Sequence, residues 1–276
     1  PWRLVEPSAL PGFAPALTFT LLYLSFFVLI PLAALAARPW EAGWGHFVSV
    51  MTNPRTVAAL KLSFGASFIA ACINAVFGTI AAWVLVRYRF PGRRILDAFV
   101  DLPFALPTAV AGISLAAIYA PNGLIGSLFA PHNIQIAFTP IGVMIALIFV
   151  GFPFVVRSIQ PVLEDLEVEV EEAAATLGAS RIRTIFQVVA PSITPALLAG
   201  FSLSFARAVG EYGSVIFIAG NIPMVSEITP LLIVIRLEEF DYAGAAALGL
   251  VMLSISFVML FILNWLQSLV GRRGKR

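Results

Sequence analysis

The feature that most limits this chain is a series of sparsely charged apolar runs, each about twenty residues or longer. Stretches near 17–37, 58–86, 99–120, 138–159, 192–220 and 243–268 are each long enough to cross the roughly 30 Å of hydrocarbon in a bilayer. In lipid every backbone amide needs a partner within the protein, so such runs read as helices. Composition agrees. Of 276 residues 60% are hydrophobic and 12% charged, against about 25% charged in a soluble domain, and the mean hydropathy is +0.95. The expected fold is therefore all-α, a polytopic membrane protein with six transmembrane helices. A seventh apolar run, Thr229 to Ile235 (TPLLIVI), is too short to span and ends in Arg236. It reads as a helix lying at the interface or capping an opening.

Several function classes recede on the same grounds. A net charge of +2 gives no reason to expect nucleic acid as a partner. The single cysteine, Cys72, leaves no intrachain disulfide. His46 and His132 lie in separate loops with no nearby cysteine, so no metal site is expected. The run Thr18 to Leu35, preceded only by the charges of Arg3 and Glu6, reads as a retained first helix rather than a cleaved leader.

Basic residues orient the spans, because short cytoplasmic loops retain Lys and Arg. One set of segments carries Arg3; Arg87, Arg89, Arg93 and Arg94; Arg157, Arg181 and Arg183; and Arg272, Arg273, Lys275 and Arg276. The opposite set carries Arg38, Arg55, Lys61 and Arg236, with Arg207 left inside the fifth span. That asymmetry, 12 against 4, places both termini in the cytoplasm. Small residues within the spans, such as Gly65, Ala66 and Ser67 or Ala109, Ala111, Gly112 and Ser114, suit close helix packing. Pro103 and Pro107 (DLPFALPT) are expected to bend or break the third span, which is tolerated where backbone lines a cavity.

The longest polar segment lies between the fourth and fifth spans. Glu164, Asp165, Glu167, Glu169, Glu171 and Glu172 lead into Ala173, Ala174 and Ala175. Glutamate and alanine favour helix, Gly178 suits a left-handed stop, and Ser180 can cap a second helix running to Val189. Ile182, Phe186 and Val189 would share a side of that helix, and Pro191 would end it. A solvated charged loop would account for the acids alone. It leaves Ala173, Ala174 and Leu177 as an apolar ridge facing water, which suits insertion into a groove of another protein.

The run Glu172-Ala173-Ala174, with Gly178 four residues on and then Val188 and Pro191, resembles the EAA loop of ABC importer permeases. Ala190 departs from the leucine usual before that proline. The stretches RYRFPGRRILDAFVDLPFALPTAVAGI, SFARAVGEYGSVIFIAGN and RLEEFDYAGAAALGL extend the likeness to the sulfate/thiosulfate importer permeases, and within them to the T-type subunit. Molybdate permeases share the fold and the loop. The resemblance implies a type I importer permease fold. Residues 1–16 would form a cytoplasmic segment, 17–56 the first helix and outer loop, 57–268 the transport core with its coupling loop at 160–191, and 269–276 a basic cytoplasmic tail. It further implies a homologous W-type permease opposite, two copies of a cytoplasmic ATPase that bind the ATP and Mg, and a periplasmic sulfate-binding protein. That protein would meet the outer loops 38–56, 121–137 and 221–242. Glu172, Ala173, Ala174, Leu177 and Gly178 become the residues that couple to the ATPase.

No G-x-x-x-x-G-K-[ST] phosphate loop occurs, so this chain is not expected to hydrolyse ATP. An ion-gradient transporter would need membrane-buried carboxylates and no docking loop. A membrane-embedded protease or transferase would need a nucleophile with a base inside the spans, and neither histidine lies in one. Within the fifth span Arg207 and Glu211 stand one helical turn apart, where charge is costly. They either neutralise each other or serve the path of an anion. In the second reading Gly210 and Gly213 open the helix, and free N–H groups near Ser214, at the start of the next half-helix, attract the anion.

Overall fold

A computed structural model describes residues 12–273, without the side chains of Val168 and of residues 269–273. Arg3 and most of the expected 1–16 segment, like Lys275 and Arg276 of the tail, lie outside the described residues. Every regular element among the described residues is helical. The first span is α1 (Phe13–Leu24), a π turn (Ser25–Leu29) and α2 (Ile30–Ala37), followed by a 3-10 turn and the helix α3 (Gly43–Thr52). The second is the single long helix α4 (Pro54–Arg87), opened by Asn53, whose side chain accepts the Arg55 amide.

The third expected span is not one helix. It divides into α5 (Arg93–Val100), α6 (Leu102–Ala105) and α7 (Thr108–Tyr119), with Leu106 extended ahead of Pro107. A residue before proline is driven out of the helical region, which explains the break. Five helical segments are long and apolar enough to cross a membrane among the described residues, and the interrupted third is the remainder of the expected six. After α8 (Gly126–Phe129) comes the fourth span, α9 (Pro140–Asp165), which carries Pro153 and Pro161 inside it. It runs beyond the expected limit near 159.

The polar segment folds as α10 (Val168–Thr176), a glycine turn and α11 (Arg181–Thr184). Pro191 was expected to end the second helix, and it does not. A π turn at Ile185–Val189 joins α11 to α12 (Ala190–Val209). The wider turn shifts the hydrogen bonds by one residue, so the Ala190 amide reaches the Ile185 carbonyl and the chain passes the proline unbroken. The fifth span thus covers Arg181–Val209 rather than 192–220, and α13 (Val215–Ile218) is separate. Finally α14 (Thr229–Glu238) precedes the last span, α15 (Tyr242–Arg273).

The core is the meeting of α4, α9 and α12. Small residues let these backbones approach: Ala66, Ala70 and Ala71 on α4, Ala146 on α9 and Ala208 on α12 are buried, whereas Gly65 is exposed. At its middle Asn74 is fully buried and donates from Nδ2 to the Ile148 carbonyl (3.1 Å) and to Ser204 Oγ (3.2 Å), joining all three helices. The α1–α2 span buries no residue. It leans on α15 only through α2 and the turn after it, so its apolar surface is left for lipid or another chain.

The short helix α14 does not lie alone at an interface. Leu231 and Leu232 are buried against α4 and α15, and the Thr229 amide donates to Ser63 Oγ at 2.8 Å. Just ahead of it the side chain of Glu227, almost wholly buried, accepts a two-pronged hydrogen bond from Arg55 at 2.7 and 2.6 Å. The fork fixes the N-terminal end of α4 to the loop before α14.

Candidate functional site

Two places are candidates for function: the interruption after α12 and the polar segment around α10. The α12 helix stops at Val209 because the chain turns at Gly210, which keeps a negative φ and open space around it. Gly213 is required for a different reason. A Cβ there would collide with the Thr108 side chain at the start of α7, and one at Gly112 would collide with the backbone of Ser214. The break after α12 therefore sits against the broken third span, with a glycine from each side at the contact. The proline-marked and glycine-marked interruptions meet, which their separation in sequence conceals.

Glu211 is buried in this junction. Its carboxylate accepts from the Arg207 guanidinium, from the Ser214 amide and from Ser214 Oγ, each of the last two at 2.8 Å. The expected pair exists, although α12 has ended at Val209 and Glu211 stands just beyond its last turn. The free N–H expected near Ser214 does not: that amide is already taken by Glu211, so the chain's own carboxylate stands where the anion was placed. Arg207 is different, because its side chain keeps 35% of its surface exposed. Among the described residues it donates to Glu211 alone, leaving guanidinium donors free.

In the polar segment the α10 helix carries Glu171, Glu172, Ala173 and Ala174. It is stopped by Gly178 at φ +84°, with the Gly178 and Ala179 amides donating to the Ala175 and Ala174 carbonyls. A left-handed residue closing a helix in this way favours glycine. Ser180 Oγ then accepts the Arg183 amide, capping α11 as its sequence suggests. Ala173 is exposed, Ala174 half-buried, and Leu177 is 88% exposed. An apolar ridge does face outward. Of the three residues expected to share a side of the second helix, Ile182 and Phe186 are exposed while Val189 is buried in the core, so Val189 does not belong to that outward surface.

Residue spacing missed what holds this ridge to the spans. Arg87, at the end of α4, donates to Glu171 (2.6 Å) and to the Leu166 carbonyl between α9 and α10 (3.1 Å). Arg157 on α9 donates to both Asp101 oxygens at 2.8 and 2.6 Å and to Asp97 at 2.7 Å, tying the α5–α6 segment to α9. Those arginines had served only to orient the spans. Carboxylates four apart at Asp97 and Asp101, near the same end of the molecule as Arg157, were the available signal.

A mainly helical bundle with a docking-shaped helix on one side and facing span interruptions within it defines a membrane permease subunit. The chain belongs to the family described as binding-protein-dependent transport system inner membrane component, which matches residues 74–276. Among curated proteins it is 50% identical over 264 residues to the sulfate transport system permease protein CysT of Salmonella typhimurium, covering 96% of this chain and 95% of that one. Identity and coverage are the same for the Escherichia coli protein of that name. A probable sulfate permease of the alga Nephroselmis olivacea is 50% identical over 253 residues, covering 92% of this chain and 89% of that one. Among solved structures, a bacterial ABC transporter importing the acidic polysaccharide alginate has a chain that superposes with a TM-score of 0.76 at 16% identity, over 93% of this chain and 94% of that one. An amino acid ABC transporter gives 0.54 at 20% identity, over 82% and 98%. Those two likenesses show the fold.

Proposed function

We propose that this chain is the membrane-spanning permease subunit of an ATP-driven importer of sulfate and thiosulfate. It forms half of the translocation path and is itself non-catalytic. The observation that carries the reading is the 50% identity to sulfate transport permeases across 96% of the chain. The binding-protein-dependent family supports delivery of substrate by a separate binding protein on the outer side, and an alginate transporter of the same fold has been crystallised with its periplasmic protein.

In this reading α10 is received by a cytoplasmic ATPase, which binds the nucleotide and Mg. Glu172, Ala173, Ala174 and Leu177 form the contact and Gly178 sets its angle. A homologous W-type permease stands opposite, and two ATPase copies complete the assembly. Both termini are cytoplasmic, following the arginine asymmetry. Closure of the ATPase pair moves α10, and the span bundle rocks between inward- and outward-open states. At the junction of the broken spans Arg207 supplies positive charge to the dianion's path. Glu211, held by Ser214 and flanked by Gly210 and Gly213, keeps that attraction weak enough for release.

The test is uptake of labelled sulfate, thiosulfate and molybdate in a strain lacking its own permease pair, with the chain supplied alongside its partners. Sulfate and thiosulfate should accumulate and molybdate should not. Uptake of molybdate alone would overturn the substrate assignment.

A further inference from the structure

The hairpin between α4 and α5 holds two adjoining hollows of opposite character. The first, of about 510 Å³, is lined by Phe77, Val84, Leu96, Phe99 and Phe152, among other apolar residues of α4, α5 and α9. Its wall is almost purely hydrocarbon, and it opens sideways on the outer surface of the bundle, where Phe77 and Phe99 are exposed. The second, of about 450 Å³, is lined by Arg89, Phe90, Gly92, Arg93, Arg94 and Ile95. The two meet along α5: Ile95 belongs to one wall and Leu96 to the other.

No carboxylate among the described residues pairs directly with the arginines of the basic hollow. Among the described residues Arg89, Arg93 and Arg94 enter no ion pair and donate no side-chain hydrogen bond, whereas Arg87 and Arg157 nearby each hold a carboxylate. The nearest acids, Asp97 and Asp101, are occupied by Arg157. Gly92 caps the start of α5 in a left-handed turn, so the positive end of that helix opens on the same hollow.

We propose that this pair of hollows is a binding site for one anionic phospholipid. The phosphate is held by Arg89, Arg93 and Arg94, and an acyl chain lies between α4, α5 and α9. The chemistry fits at both ends. A soluble phosphate compound would leave the apolar groove unfilled. A neutral lipid would leave three guanidiniums unpaired at the headgroup level, where basic pockets between spans recruit anionic lipid. The site lies beside the Arg87–Glu171 and Arg157–Asp97 links, on the same α4–α5 hairpin that anchors α10. A lipid seated there stiffens the hairpin through which the coupling segment is held, and this consequence alone rests on the proposed coupling role.

The assembled transporter, delipidated and then reconstituted in nanodiscs with equal phosphatidylglycerol and phosphatidylcholine, tests the site. Lipid retained per complex is read by native mass spectrometry after release into detergent. Phosphatidylglycerol should be retained preferentially, and its affinity should fall about fivefold for each arginine replaced in the series Arg89→Gln, Arg93→Gln, Arg94→Gln. A phosphatidylglycerol with a photoreactive acyl chain should crosslink to Leu96 or Phe99 in the wild type, and this signal should fall in the triple variant. Circular dichroism and monodispersity confirm that the variants remain folded. Equal retention of the two lipids overturns the proposal, as does undiminished retention in the triple variant. Displacement by inorganic phosphate alone would reduce the site to a headgroup pocket and overturn the acyl half. Lipid bound by the isolated chain but excluded from the assembly would assign the groove to a partner's helix instead. None of these readouts requires sulfate transport, so failure here is separable from failure of the transport reading.

Discussion

Arg207 and Glu211 look from their spacing like a pair that stands or falls together, yet their surroundings are unequal. Glu211 is buried and keeps two donors from Ser214 whatever happens to the arginine. Arg207 has no second acceptor among the described residues and remains partly exposed. Arg207→Ala should therefore leave Glu211 short of one charged partner but still hydrogen-bonded, so assembly should survive in part. Adding Glu211→Gln removes the leftover charge and should restore assembly fully. If Arg207 serves the anion's path, sulfate uptake should stay at least tenfold down in that double variant while ATP hydrolysis continues. Full recovery of uptake would return Arg207 to the role of an ion-pair partner. The pairing of the two residues was legible because i and i+4 share a face in a helix, even though α12 stops two residues before Glu211. The Ser214 contacts were not, because they depend on where the helix stops, which no periodicity reports. A second residue, Asp241, gives a prediction in pH. Burial pushes its carboxyl up, but the Gly244 amide, His46 and Arg236 prevail and hold it below the usual range. A depressed carboxylate contributes stability above its unfolded value, about 3.9, and loses it as pH falls through the folded value. Thermal unfolding of the purified transporter should therefore show this contribution intact from pH 7 down to about 4, with loss only below. In Asp241→Asn the contribution should be missing at pH 7, and the acid-induced loss should shrink.

At the scale of elements, the segment α10–Gly178–α11 was the most readable part of the chain. Local signals suffice there: helix formers, a left-handed glycine and a serine cap act within a few residues of one another. The π turn before Pro191 was unreadable for the opposite reason. Whether a helix breaks at a proline or slips by one residue depends on what its neighbours bury, and Val189 and Ile193 are both held in the core. Two substitutions separate the angle of the ridge from its mere existence. Gly178→Asp forces a side chain into positive φ, at a cost of about 1 kcal/mol or more, and places a charge beside Leu177. The spans should still insert and purify, while ATPase binding and transport fail. Normal binding and transport in this variant would sink the docking role of α10. Ser180→Ala removes the cap of α11, at a local cost of about 0.5–2 kcal/mol. Faster amide exchange in α11 with transport retained is the expected outcome, because the α10 ridge keeps its own hydrogen bonds.

For the whole molecule, the question is how movement of one short helix reaches spans across the bundle. Long-range contacts decide this. The sequence revealed the number of apolar runs but not which of their charged ends touch. Two links carry α10 back to the spans, its forward chain runs through Gly178 into the continuous α11–α12 helix, and Arg157 relays the motion further. The chain itself continues back into α9 through Leu166. Arg87 grips Glu171 and the Leu166 carbonyl from the end of α4. Arg157 passes the motion of α9 to the α5–α6 segment through Asp97 and Asp101. That last link leads to the broken span whose continuation, α7, faces Gly213 and Ser214. Arg157 thus ties the end of the bundle that carries α10 to the broken span facing the interruption around Glu211. Arg157→Gln keeps a hydrogen-bonding side chain but loses the two-pronged grip on Asp101, which needs the guanidinium's planar fork. The variant should assemble, bind its ATPase and hydrolyse ATP near the wild-type rate, because α10 and Arg87 are untouched. Sulfate moved per ATP should nevertheless fall several-fold. Arg157→Lys should recover little of it, since an ammonium restores the charge but not the fork. The measurement is a paired assay of ATP hydrolysis and sulfate accumulation in proteoliposomes containing the complete transporter. A wild-type ratio in both variants would show that the motion reaches the interruption without Arg157, along α9 or the continuous α11–α12 helix. A parallel fall in hydrolysis and uptake would instead assign Arg157 to folding of the α5–α6 segment.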